Sequence, residues 1–270
     1  MAAKGRSFRP NPRVDIVQIA RATWQRLTSS HAQHPRTSQQ TCHAEVDSLI
    51  GDLATIVRLA GQLMANASGA LHEADLKFAE AVISDADEMK ARCRDADQRC
   101  FDLLDLTASV TIDLRMVVAA MQVVKDLQRM CNLAQHIAEI ARLKHPIKPI
   151  PADIRPISLQ MGLLASRLAE DAAAAIESRD PISAARLEQS DDEVDLLRRR
   201  IFKVLFSDDW SHGVEPAVDT ALIGRYYERF ADHAVAIARK VTICRSQRHS
   251  TDVAPRVTRT AVHRSHRGDV

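Results

Sequence analysis

Aromatic residues are scarce: Phe, Trp and Tyr together make up 4% of 270 residues, and glycine contributes only 8. Sheet proteins draw heavily on aromatic and β-branched side chains and on glycine at turns, so this poverty argues against a β fold. No glycine-rich loop that could cradle a nucleotide phosphate is present, which excludes the common ATPase and kinase architectures. No local motif brings Ser, His and Asp, or Cys and His, together as a catalytic set. No apolar run approaches the roughly 18 to 20 uncharged residues that cross a bilayer, and the N-terminus has no continuous apolar segment of the secretory kind. A cytoplasmic location without a transmembrane segment is the expectation. The five cysteines, Cys42, Cys93, Cys100, Cys131 and Cys244, form no C-x-x-C pair and are odd in number. Neither a disulfide framework nor a zinc knuckle is expected from them. Cys93 and Cys100 can share one helix face, but seven residues of helix rise about 10 Å, too far for a bridge between them.

What the chain does have is 46% hydrophobic and 27% charged residues, with a net charge of +2. That near-balance hides a division. Residues 1–40 carry seven Lys or Arg against one Asp, and residues 244–270 carry six Arg against two Asp, so the intervening body is 2 − 6 − 4 = −8. Basic ends rich in Arg, Ser, Thr, His and Pro bury too little apolar surface to fold, and are expected to be solvated and disordered. Charge of this kind alone gives only salt-sensitive contact with nucleic acid, and no helix-turn-helix accompanies it, so no specific nucleic-acid partner is expected.

Between His43 and Cys244 apolar residues recur at three- and four-residue steps, the period of amphipathic helices. Breakers divide this stretch into six expected helices: His43–Leu71, Glu73–Asp105, Thr111–Leu143, Ala152–Ser178, Asp180–Phe206 and Pro216–Ile243. Asp75 is a better N-cap than Glu73 for the second, because its short carboxylate reaches free backbone N–H groups. Pro146, Pro149 and Pro151 end the third helix, and Pro181 suits the first position of the fifth, where its missing N–H costs nothing.

The segments repeat. Gln128-Arg129-Met130-Cys131-Asn132-Leu133-Ala134 stands 100 residues before Glu228-Arg229-Phe230-Ala231-Asp232-His233-Ala234. Asp87-Glu88-Met89-Lys90 stands 105 before Asp192-Glu193-Val194-Asp195. The fold expected is all-α: two tandem, similar three-helix bundles over 41–146 and 151–243, with basic extensions at 1–40 and 244–270.

Two acidic pairs stand out. Glu228 and Asp232 are four apart on the sixth helix, and Asp191 and Asp195 repeat that spacing on the fifth. Each pair presents both carboxylates on one helix face, and if the faces meet, four carboxylates converge and need a cation, a proton or an arginine. Oxygen ligands suit Mg²⁺ or Mn²⁺, and His233 nearby would extend the choice to Fe or Zn. Arg198, Arg225 and Arg229 offer the competing reading, in which the acids are simply ion-paired. The first half carries Lys90, Gln128 and Asn132 at the matching positions, so a metal is expected in the second bundle only.

The helix Gly224–Val241, G-R-Y-Y-E-R-F-A-D-H-A-V-A-I-A-R-K-V, resembles the signature helix of the PhoU family, especially its actinobacterial, PhoY-like branch. Trp210-Ser211-His212-Gly213-Val214 and Asp219-Thr220-Ala221-Leu222 before it, and Asp113-Leu114-Arg115 with Gln128, Arg129 and Met130 in the first half, share the resemblance. It spans residues 41–243. It implies two three-helix bundles, a cytoplasmic homodimer, and metal clusters bound by E(D)-x-x-x-D motifs. Carried over here, that motif gives Glu228 and Asp232, with Asp191 and Asp195 on the preceding helix. It also implies negative regulation of the phosphate-starvation response, through the ATPase of the phosphate ABC transporter and a phosphate-sensing histidine kinase. The protein is then not an enzyme. The alternative, a ferritin-like metal oxidase or metal store, requires Glu-x-x-His pairs on facing helices, and none occurs at Glu193 or Glu228.

Overall fold

The computed structural model describes residues 35–107, 111–178 and 181–252. Six α-helices account for nearly all of them: α1 (Pro35–Glu73), α2 (Leu76–Thr107), α3 (Thr111–Lys144), α4 (Arg155–Ser178), α5 (Pro181–Leu205) and α6 (Val214–Asp252). No strand occurs among the described residues. Helices α1, α2 and α3 pack on one another as one bundle, α4, α5 and α6 as a second, and α1 against α4 and α3 against α6 join the two.

The ends of the helices follow from local chemistry. Asp75 Oδ1 accepts from the Phe78 N–H at 3.0 Å, the N-cap expected for α2. Just before it, Ala74 has φ 53°, and the Asp75 N–H reaches back to the Ala70 carbonyl at 3.1 Å. That left-handed residue with a six-to-one hydrogen bond is a Schellman stop, built here on alanine rather than the usual glycine. The link from Phe206 to Gly213 is tied by Trp210 Nε1, which donates to the Gly213 carbonyl at 2.8 Å.

Two helix ends differ from the sequence reading. α1 begins at Pro35 rather than near His43, and α6 runs past Ile243 to Asp252, into the stretch 244–270 expected to be a tail. No Pro or Gly interrupts Thr242–Asp252, and adding a turn to an existing helix needs no new nucleus. The expected disorder of 1–34 and 253–270 lies outside the described residues.

One continuous core runs through both bundles, from Val46 on α1 to Val241 on α6. His43–Glu73 is long and apolar enough by composition to pass for a membrane span. Its apolar side is spent instead on α2, α3 and α4, and the face left to solvent carries residues such as Asp52, Thr55 and Gln62. The joint between bundles is close. A Cβ on Gly61 would meet Ala169 Cβ and the Ser166 carbonyl at 3.0 Å, and one on Gly162 would meet Ser68 Cβ at 3.0 Å and the Tyr227 ring at 3.2 Å. Glycine at these points lets the antiparallel α1 and α4 approach. Polar groups buried at the joint pair with each other: Tyr227 donates to Ser68 Oγ at 2.9 Å, and Ser158 Oγ lies 3.3 Å from His72 Nε2. Burial first, and then Arg155 and Lys148, push His72 down to about 4, so it is neutral near pH 7.

The duplication is visible in three dimensions. Val123, Leu127, Met130, Cys131, Ala134, Ile137, Ala138 and Ala141 on α3 are buried, and so is each residue 100 positions later on α6. Gln128 and Glu228 thus occupy equivalent positions, one half-buried and one buried.

Candidate functional site: an acidic face between α5 and α6

In the second bundle α5 packs along α6, and Asp191, Asp195, Glu228 and Asp232 lie along this pair of helices. The four are unequal. Glu228 is buried, Asp191 and Asp195 are half-buried, and Asp232 is exposed. Glu228 is already neutralised: Arg225 donates to it from one turn earlier, and Arg198 Nε of α5 lies 3.5 Å from it, with the guanidinium also over the Phe202 ring. This is the arginine compensation that the spacing left open.

Asp191 has no such relief. Burial, followed by the negative charges of Asp232, Asp195, Asp192 and Glu228, pushes its carboxyl up to about 6. The carboxylates singled out in the sequence therefore do share one electrostatic field. Side chains as placed do not form a finished cage, since among the described residues no three His, Cys, Asp or Glu groups stand together as metal ligands. The donor set fits a hard cation in charge and in kind, being oxygen only around Asp191, Asp195 and Asp232. His233 is turned elsewhere. Its Nδ1 lies 3.1 Å from Asp126 Oδ1 on α3, and Lys240 donates to the same carboxylate, so the imidazole ties the two bundles together rather than serving the acidic face.

The equivalent place in the first bundle is filled differently. Lys90 Nζ donates to Asp87 Oδ1 at 2.9 Å and to Gln135 Oε1, and Gln135 Nε2 in turn donates to Glu139 Oε1 at 2.9 Å. An ammonium on a tether thus stands where the second bundle has Asp195.

The sequence pattern of the PhoU domain matches this chain twice, over residues 53–141 and 159–241. The chain belongs to the PhoU family. Its two matches are the two bundles, so the PhoU repeat and the structural repeat coincide. The phosphate-specific transport system accessory protein PhoU homolog 2 of Mycobacterium tuberculosis is 43% identical over 199 residues, covering 74% of this chain and 93% of that protein. The PhoU homolog 1 of Mycobacterium leprae is 42% identical, covering 74% and 90%. Among solved structures, PhoU from Pseudomonas aeruginosa superposes with a TM-score of 0.64 at 21% identity, over 77% of this chain and 99% of that one. The phosphate transport system regulatory protein PhoU from Streptococcus pneumoniae gives 0.65 at 23% identity, over 76% and 97%. At such identities these structures speak for the PhoU fold alone. Both strands of evidence agree with the resemblance carried by Gly224–Val241.

Proposed function

We propose that this PhoU-family chain is a cytoplasmic regulator of phosphate transport, an adaptor rather than an enzyme. In this reading it links the ATPase of the phosphate ABC transporter to a phosphate-sensing histidine kinase and holds the starvation response off when phosphate is plentiful. The observation that carries it is the pair of PhoU matches lying on two intact bundles, together with relatives above 40% identity named for the phosphate-specific transport system. Long helical faces suit docking between partners, and the adaptor works as a homodimer. Deleting the gene, together with any second copy, is expected to leave phosphate-starvation genes expressed in phosphate-rich medium. Expression that stays repressed in that strain would overturn the reading, as would failure of the purified chain to retain both the transporter ATPase and the kinase's cytoplasmic part.

The acidic face is part of the proposal. Asp191, Asp195 and Asp232 hold a divalent cation (Mg, Mn, Fe or Zn), with Glu228 joining when Arg198 and Arg225 give way. The support is the elevated carboxyl of Asp191, which marks negative charge without a counter-ion. A bound cation would supply that charge and pin α5 to α6, setting the shape of the surface offered to partners.

A further inference from the structure

The repeat also tells what replaces the acidic face in the first bundle. At the offset of 105, Asp191 falls on Ala86, Asp195 on Lys90 and Arg198 on Cys93, while at the offset of 100 Ala231 falls on Cys131. The two cysteines are both fully buried, one on α2 and one on α3. The Lys90–Gln135 hydrogen bond sets the antiparallel register, and one turn further along it Cys93 stands opposite Cys131. Each thiol is the largest single influence on the other's ionisation, as befits close neighbours. Packed helix axes lie about 8–10 Å apart and each Cα sits about 2.3 Å from its axis, so directly facing Cα atoms are about 3.4–5.4 Å apart. A disulfide spans Cα atoms about 4.4–6.8 Å apart, a range that overlaps this one.

We propose that Cys93 and Cys131 are a redox-convertible pair, which a peroxide-class oxidant joins in a disulfide that clamps α2 to α3 inside the first bundle. Cys93 is the attacking sulfur, because the neighbouring Cys131, with Arg94 helping, favours its thiolate against burial, while Cys131 keeps its proton. The Cys93 sulfur attacks one oxygen of hydrogen peroxide and the O–O bond breaks. The departing hydroxide takes up the proton that Cys93 had released and leaves as water, with Cys93 as the sulfenic acid. Cys131 sulfur then attacks Cys93 sulfur, the S–S bond forms and the S–O bond breaks, and hydroxide leaves with the Cys131 proton as a second water. Two thiols and one peroxide become one disulfide and two waters, with two electrons passing from sulfur to oxygen. Since neither sulfur is exposed, the reaction waits on local opening of the bundle and is slower than oxidation of the partly exposed Cys244.

The test uses the full chain. Hydrogen peroxide is added, remaining thiols are blocked with N-ethylmaleimide in denaturant, and non-reduced peptides are mapped by mass spectrometry. The expected product is a peptide pair joined through Cys93 and Cys131, lighter by two hydrogens, reversed by dithiothreitol, and accompanied by a melting temperature several degrees higher. Both thiols still blocked as free after Cys244 has been consumed would overturn the proposal. So would Cys93 trapped alone as sulfinic acid, or bridged to Cys100 or Cys42 instead.

Discussion

Glu228 on α6 and Arg198 on α5 face each other at 3.5 Å across the acidic face, while Asp191, on the same face, has only other carboxylates for electrostatic neighbours. The charge that matters for the site is therefore the unpaired one.

Asp191 in the folded chain holds its proton up to about pH 6, against an ordinary value of 3.8. Between those values the folded state binds more protons than the unfolded state, so this residue makes stability fall as pH rises through the window. Asp191→Asn is expected to remove that slope and to melt higher than the wild type at pH 7 and above, with the difference fading towards pH 4. Melting curves at half-unit steps from pH 4.5 to 8 check it. A constant offset across the range would mean that Asp191 is ordinary surface charge.

A cation bound only by the folded bundle stabilises it by about 2.7 kcal/mol at a hundredfold excess over its Kd. Titration with Mg²⁺, Mn²⁺, Zn²⁺ or anaerobic Fe²⁺ is expected to raise the melting temperature and to abolish the pH slope of Asp191. Asp232→Asn, which copies the first half at Asn132, is expected to lose most of the rise. Asn132→Asp is expected to change little, because Lys90 and Gln128 remain. Identical curves in chelator and in millimolar metal would remove the cation from the proposal.

Asp126 is 8% exposed and meets both His233 and Lys240 across the joint between bundles. These two partners hold its carboxyl below the usual range against the opposing effect of burial, which is the largest single influence. Asp126→Asn weakens two charge-assisted contacts at a buried position, at a cost of about 1.5–3 kcal/mol. Lys240 is more exposed than its partner, and Lys240→Ala is expected to cost about 1 kcal/mol or less. Urea unfolding measures both, and equal effects for the two variants would contradict the assignment of Asp126 as the central group.

Gly162→Ala would place a methyl group against Ser68 and Tyr227 with no room to move. Overpacking of this kind costs about 1–3 kcal/mol, here at the contact between α1, α4 and α6. Gly51 has nothing within 4 Å of an added Cβ, so Gly51→Ala is the internal control and is expected to stabilise α1 by about 1 kcal/mol. A Gly162→Ala variant as stable as wild type would show that the bundles are not pressed together at this point.

What the chain's order of residues determined by itself is local or repetitive. Apolar period, Asp75, the proline cluster and Pro181 place six helices to within a few residues, except where α1 starts early at Pro35 and α6 runs on to Asp252 for want of any breaker. A repeat at fixed offsets predicts two like bundles, because equal patterns of apolar residues bury equal faces. The same comparison picks out Asp191, Asp195, Glu228 and Asp232 against Lys90, Gln128 and Asn132. Which of these carboxylates keeps its charge unpaired was decided only by tertiary structure. Arg198 and Arg225 could each have paired with several acids, and side-chain direction, set by how α5 packs on α6, chose Glu228. His233 follows Asp232 directly, yet it belongs to another contact, since one residue along a helix turns the side chain by about 100° and here brings it to Asp126. Cys93 and Cys131 lie on different helices with no spacing rule to join them. Only the antiparallel register of α2 and α3 makes them neighbours, because proximity between helices depends on packing and not on separation along the chain.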